Sequence, residues 1–285
     1  GIQYNLTVLL NLHAQIEKLM VNAQRCMLLT QVPQEAESND KATPEWPEQG
    51  KIEFQGVDLR YRDNTEIVLN QLSFTVNPRE KIGIVGRTGS GKSTICISIS
   101  RIVELLHGKI LIDGVDISQL NLNHLRSRIT VIPQDPILFK GTLRYNLDPG
   151  NVIDPAYLEK VYKQTEMTIG LEKEIDEGGS NLSNGEKQLV CICRAIMRKC
   201  QVVILDEATS NIDIITEERI QKLLDTFLKD STVLTVAHRL NTIIKSDKVL
   251  VLSYGTVKEY DSPSNLMQDP ESEFTKLLQE LKKKD

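Results

Sequence analysis

Short runs of Val, Ile and Leu set the rhythm of this chain. Lys81 to Val85 reads as a buried strand, and further apolar strands follow at Val202 to Leu205, Val233 to Val236 and Val249 to Leu252, with another at Thr256 to Glu259. Ahead of them lies a β-rich block: Lys51 to Phe54, Asp58 to Tyr61 and Leu72 to Val76. Gly108 to Ile112, with the turn residues Asp113-Gly114, predicts a hairpin. Helical patterns fill Ile95 to Leu106, Lys187 to Arg198, Glu217 to Leu228 and Ser272 to Lys284. The stretch 141–200 reads as mostly helical, with no strand evident. Strands alternating with helices predict an α/β fold around a mostly parallel sheet, with the leading β block and the helical insert of about 141–200 appended to it.

The first 50 residues have a different texture. Residues 2–29 carry Leu6, Leu9, Leu10, Leu12, Ile16, Leu19 and Met20, interrupted by Asn11, His13, Gln15, Glu17 and Lys18, which predicts an amphipathic helix. Residues 30–50 hold Pro33, Pro44, Pro47 and several acids, a linker composition. The predicted domains are therefore a connector over 1–29, a linker over 30–50 and a globular domain over 51–285. No apolar run reaches the ~20 residues that cross a bilayer, and no signal peptide is visible. A chain that opens on Gly1 rather than Met is expected to be a piece of something longer.

Bulk numbers narrow the picture. A length of 285 residues is near the upper limit for one compact domain. A net charge of −5 with both signs interspersed argues against a nucleic-acid partner. Cys191 and Cys193 would diverge on a helix and make a poor metal pair; with Cys26, Cys96 and Cys200 they read as reduced thiols of a cytosolic domain. In such a chain the glycosylation patterns at Asn5 and Asn181 carry no weight.

The candidate chemistry starts at Gly86-Arg87-Thr88-Gly89-Ser90-Gly91-Lys92-Ser93-Thr94. This fits the phosphate-binding pattern G-x-x-x-x-G-K-[ST], and it sits between a predicted strand and a predicted helix as that motif requires. Glycines let backbone N–H groups close on phosphate oxygens, and the helix N-terminus adds about half a positive charge. Lys92 supplies a full charge for the outer phosphates, and the Ser93 hydroxyl can ligate magnesium. Chance alone would produce the pattern in roughly one chain in a hundred of this length, so the loop indicates a nucleotide phosphate without saying which nucleotide.

Three other strand ends matter, because ligands of open α/β sheets bind beyond the carboxyl ends of the strands. Val202 to Leu205 ends in Asp206-Glu207, which is either an ordinary strand with acids at its exposed end or a magnesium ligand followed by a base for the attacking water. Thr232 to Ala237 delivers His238, either a surface histidine or a γ-phosphate contact. Gln134 follows the apolar run Val131-Ile132; locally it is a loop glutamine, yet its amide could reach metal or water. Leu182-Ser183-Asn184-Gly185-Glu186 opens a helix. Ser183 and Glu186 form an S-x-x-E capping box, sufficient by itself as a structural explanation, although the free N–H groups of this helix could hold a second phosphate.

In this order the elements resemble the nucleotide-binding domain of ATP-binding-cassette (ABC) transporters, over about residues 50–265. The phosphate loop, glutamine loop, L-S-x-G helix, apolar strand ending in Asp-Glu and strand-end histidine carry the likeness. Trp46-Pro47-x-x-Gly50, Leu59-Arg60-Tyr61-Arg62, Asp135-Pro136-Ile137-Leu138-Phe139 and Asn146-Leu147-Asp148-Pro149 resemble subfamily C, the multidrug-resistance-associated proteins, and in particular their second, C-terminal domain. The resemblance implies a P-loop NTPase (RecA-like) core with an antiparallel β subdomain and an α-helical signature subdomain. It implies ATP and Mg²⁺ as cofactors, with Ser93, Gln134 and Asp206 at the metal and Glu207, His238, Gln134 and Lys92 in catalysis. Tyr61 would stack on adenine, although it would otherwise pass for a strand tyrosine, and base stacking contributes roughly 1–3 kcal/mol. Ser183 and Gly185 would contact ATP held by a partner domain in a head-to-tail sandwich, and Asp213 would anchor the loop that touches that partner. Residues 2–29 would be the cytoplasmic end of the last transmembrane helix of a multi-pass exporter, with this domain on the cytoplasmic side. Where the family has L-S-G-G-Q this chain has Leu182-Ser183-Asn184-Gly185-Glu186, so the site completed by that signature is expected to be the weaker one. The resemblance also leaves room for an ATP-sensing domain of a channel or receptor, or for an ABC ATPase without a membrane partner. A transported substrate would be an amphipathic organic anion or conjugate.

Overall fold

The apolar runs assemble into one six-stranded sheet that carries the phosphate loop. The computed structural model describes residues 1–32, 34–35, 42–206, 212–236 and 240–281. It falls into two units, 1–37 and 38–285. The described residues of the first form one helix, α1 (Ile2–Thr30), none of whose residues is buried.

In the second unit the chain runs β1 (Ile52–Leu59), β2 (Leu69–Val76), β3 (Lys81–Gly86), α2 (Lys92–Ile99), β4 (His107–Ile112), β5 (Val115–Asp116), α3 (Leu122–Arg128), β6 (Ile129–Ile132), β7 (Gly141–Thr142), α4 (Leu143–Leu147) and α5 (Pro155–Gln164). It continues through β8 (Glu174–Ile175), α6 (Asn184–Met197), β9 (Val202–Asp206), α7 (Ile214–Phe227), β10 (Thr232–Val236), α8 (Leu240–Ile244), β11 (Lys248–Ser253), β12 (Thr256–Asp261), α9 (Pro263–Leu266) and α10 (Glu273–Leu281). The large sheet has the order β12-β11-β3-β10-β9-β6 and is parallel except for β12 at its edge. A second, antiparallel sheet has the order β2-β1-β4-β5.

Side-chain alternation divides the parallel strands between separate cores. Val202 and Ile204 of β9 and Leu234 and Val236 of β10 pack with Ile95 and Ile99 of α2 and with the antiparallel sheet. Their neighbours Val203, Leu205 and Val233 face the helical insert, against Leu189, Ile192 and Ile196 of α6. On the far strands, Val85, Val249 and Val251 meet Phe274 and Leu278 of α10. The phosphate loop thus rests on one core and the helical insert on another.

Four differences from the sequence expectation have local causes. The two strands expected at Lys51–Phe54 and Asp58–Tyr61 are one, β1, whose register shifts between Phe54 and Val57, where Gly56 takes φ 58°. The helix expected over Ile95–Leu106 starts at Lys92 and stops at Ile99. Arg101 turns out of it at φ 47° and buries its guanidinium, which donates to the carbonyls of Ile117 and Leu120. Arg126 of α3 caps the helix end by donating to the carbonyls of Ser100 and Arg101. The insert holds a two-stranded ribbon, β7 with β8. The stretch expected as linker is seated on the antiparallel sheet from Trp46 onward. The Trp46 ring is buried and donates to Ile112 O at 2.9 Å, and the N–H groups of Gln49, Gly50 and Lys51 all donate to the Asp113 carboxylate.

Candidate nucleotide site

Parallel strands present their C-terminal ends at one edge, and the register shows which ends are level. Val236 pairs with Ile84 and with Asp206, and Leu205 pairs with Ile132. The phosphate loop, the Asp206 strand end, the end of β10 that leads toward His238, and the Gln134 loop therefore leave the sheet together. Glu207 and His238 themselves lie outside the described residues, as do Ser210 and Asn211.

Within the phosphate loop, Gly91 caps α2 in a left-handed conformation (φ 98°), and a Cβ there would stand 2.9 Å from Leu69 Cδ2. Only glycine satisfies both conditions. Lys92 is buried and folds back over the loop, donating from Nζ to Gly86 O at 2.9 Å and Arg87 O at 3.1 Å. Ser90 is buried with its Oγ unpartnered by protein, whereas Arg87, Thr88 and Gly89 are exposed. The Arg87 guanidinium lies 3.5 Å from Glu280 of α10; with both groups in solvent the pair contributes about 0–1 kcal/mol.

Ser93 bridges the elements. Its hydroxyl donates to Asp206 Oδ1 at 3.1 Å, joining positions 113 residues apart. The Asp206 charge is also felt at Cys96, one turn along α2. Burial first, and that carboxylate second, push the Cys96 thiol well above the ordinary thiol range. On the other side of α2, Thr94 Oγ1 and the Tyr61 hydroxyl are 2.9 Å apart. Tyr61 as a whole remains 45% exposed.

The remaining predicted residues belong to the helical side. Gln134 is exposed, and its backbone carbonyl accepts a hydrogen bond from Gln188 Nε2 of α6 at 2.8 Å. Sequence reasoning passed over Gln188. Its signal was a polar residue inside the buried stripe Leu189, Val190, Ile192 and Cys193. Ser183 caps α6 in a complete capping box: its Oγ accepts from Glu186 N, while Glu186 Oε2 accepts from Ser183 N at 2.8 Å and Ser183 Oγ at 2.9 Å. A Cβ on Gly185 would meet Thr216 Cγ2 at 2.9 Å. Asp213 caps α7, accepting from Thr216 N at 2.9 Å. Leu182, beside Ser183, packs in the helical core rather than in the core under the phosphate loop. The structure thus joins Tyr61, residues 86–94 and Asp206 by direct contacts, and links Ser183, Gly185 and Asp213 through the start of α6 and Thr216.

Among the described residues, no group of three or more His, Cys, Asp or Glu side chains could hold a metal ion by itself. No described helix is long and apolar enough to cross a membrane.

The chain is similar to known proteins. The family model "ABC transporter" matches residues 69–210. ABC transporter C family member 8 of Dictyostelium discoideum is 43% identical over 285 residues, covering 96% of this chain and 18% of that protein. Bile pigment transporter 1 of Saccharomyces cerevisiae is 39% identical over 96% of this chain and 19% of its own length. ATP-binding cassette sub-family C member 3 of Rattus norvegicus is 47% identical over 84% of this chain and 16% of its own. The chain thus spans about a fifth of the length of these curated relatives. A solved bacterial Atm1-family ABC exporter with ATP bound superposes with a TM-score of 0.84 at 29% identity, over 93% of this chain and 47% of that one. The chain belongs to the ABC transporter family, as a nucleotide-binding ATPase domain like those of subfamily C.

Proposed function

We propose that this chain is the second, C-terminal ATP-hydrolysing domain of a subfamily C exporter, acting on the cytoplasmic side of a membrane. The observation that carries this reading is the Ser93–Asp206 hydrogen bond, which sets a hydroxyl and a carboxylate side by side at the mouth of a phosphate loop. That pair suits a hard divalent cation that takes its other oxygens from phosphate and water. When bound, Mg²⁺ would neutralise charge on the outer phosphates. The residues of the chain do the rest. Lys92 exchanges its loop carbonyls for phosphate oxygens, and Tyr61 stacks on the base. Glu207 would take a proton from the attacking water, Gln134 would reach the metal or that water, and His238 would contact the γ-phosphate.

The free edge of the α6 N-terminus, where Ser183 is exposed, supports a divided site. Ser183 and Gly185 would meet ATP held by a second nucleotide-binding domain, and this chain's ATP would meet the signature of that partner. Binding closes the pair and turns the membrane helices outward; hydrolysis reopens it. The test is turnover by the full-length protein in membranes. Hydrolysis that requires Mg²⁺ and rises with a transported organic anion is expected. Tight ATP binding with no turnover above background would make the domain an ATP sensor instead.

The signature has a consequence of its own. Glu186 holds the Ser183 hydroxyl and sets a negative charge where a phosphate would approach. Glu186→Gln keeps the cap and removes the charge. Partly screened by solvent, a charge at that distance contributes about 1–2 kcal/mol, so about tenfold tighter ATP binding is expected at the site completed by this signature. Unchanged affinity in the assembled protein would remove Glu186 from that role.

A further inference from the structure

The turn between β11 and β12 touches both halves of the nucleotide site, and nothing above gives it a role. Gly255, in that turn, donates its N–H to Ser90 O of the phosphate loop at 3.1 Å. Its carbonyl accepts from Asn70 N of β2 at 3.0 Å. It adopts φ 73°, and a Cβ there would stand 2.0 Å from Val68 O, 2.9 Å from Val68 C and 3.2 Å from Leu69 Cα. All three obstacles are backbone, which has no rotamer to yield.

The crowding continues on the other side. The Cβ position of Gly91 is 3.3 Å from the same Val68 oxygen and 3.8 Å from Gly255 Cα. Val68 N donates to Leu59 O at 2.8 Å and so closes the loop 60–67 that carries Tyr61. On the sheet side, Leu252 pairs with Gly86, where a Cβ would be 2.4 Å from Leu252 O. Three segments, distant in sequence, are therefore packed backbone to backbone at Gly255: the phosphate loop, the base of the Tyr61 loop and the β11–β12 turn.

We propose that Gly255 is a positioning residue of the nucleotide site, fixing the separation between the phosphate loop and the loop that presents Tyr61, so that phosphates and base are gripped together. The proposal rests on the ATP site described under Proposed function. Gly255 touches no nucleotide in this scheme and acts through Ser90 and Val68.

Gly255→Ala in the full 285-residue chain tests it. The added methyl must push Val68 and Leu69 aside or drive residue 255 back against its bond to Ser90, and a misplacement of about 1 Å can cost about 10²-fold where contacts are geometrically tuned. Dissociation constants for ATP and ADP are expected to rise together, by about tenfold or more, in the chains that remain folded. A purely structural glycine would lower the unfolding midpoint and the number of binding-competent chains while leaving both constants unchanged, and that result overturns the proposal. Should the variant fail to fold, amide hydrogen exchange on the unaltered chain decides. Saturating ATP is expected to slow the Gly255 amide together with those of Gly89, Gly91 and Lys92. Protection of the loop amides with no change at Gly255 also overturns it. An unaltered chain that binds no ATP at all would sink the ATP site itself, and this proposal with it.

Discussion

Replacing Lys92 with alanine is expected to weaken ATP binding by about 10²-fold or more. A charge-assisted hydrogen bond contributes about 1.5–3 kcal/mol, and the lysine is placed to give more than one to the outer phosphates. The structure adds a second reason. Lys92 is buried, and its Nζ ties the carbonyls of Gly86 and Arg87 across the loop. Its removal leaves those carbonyls without that donor, so the loop loses shape as well as charge. Equilibrium binding of ATP to the purified chain is the measurement. Affinity within threefold of the unaltered protein would mean that residues 86–94 are not the phosphate site.

Glu207→Gln is expected to have the opposite signature, with ATP binding retained and turnover cut by about 10²–10⁴-fold, the usual size of a general-base contribution. The amide keeps the shape of the side chain but cannot accept the proton of the attacking water. Asp206, one residue earlier, accepts from Ser93 and under the proposed reading belongs to the metal rather than to the attacking water. Phosphate release by the assembled transporter, compared under saturating ATP, decides. Release at a near-normal rate would take the base role away from Glu207. The two substitutions together separate gripping the nucleotide from cleaving it.

Most of the parallel sheet was legible because its strands are apolar runs of five or six residues that fall between turn signals, as at Val202–Asp206 and Lys248–Ser253. The phosphate loop was legible because its chemistry demands particular residues at fixed spacing. What escaped depends on contacts far away in sequence. Residues 92–94 follow the loop directly, yet the bond from Ser93 to Asp206 needed the β9 position to be known. The early end of α2 is set by a buried arginine and by Arg126, 25 residues on. Trp46 looked like part of a proline-rich tether because its socket at Ile112 lies 66 positions downstream. Gly255 was invisible for the same reason. A lone glycine in a turn signals nothing until Val68 is seen against it.

The seating of Trp46 bears on how force enters the domain. A pull transmitted along the backbone from residue 42 onward would meet the Pro44 carbonyl held by Arg128, then the indole and the three amides held by Asp113, and from there pass into β1 and β4. Those strands belong to a different sheet from β3, but β1 ends at Leu59, whose carbonyl holds Val68 against Gly91 and Gly255, so the load is passed on toward the lysine-bearing loop. Tugging on the N-terminal side would therefore strain the antiparallel layer and reach the grip on the nucleotide through the base of the Tyr61 loop.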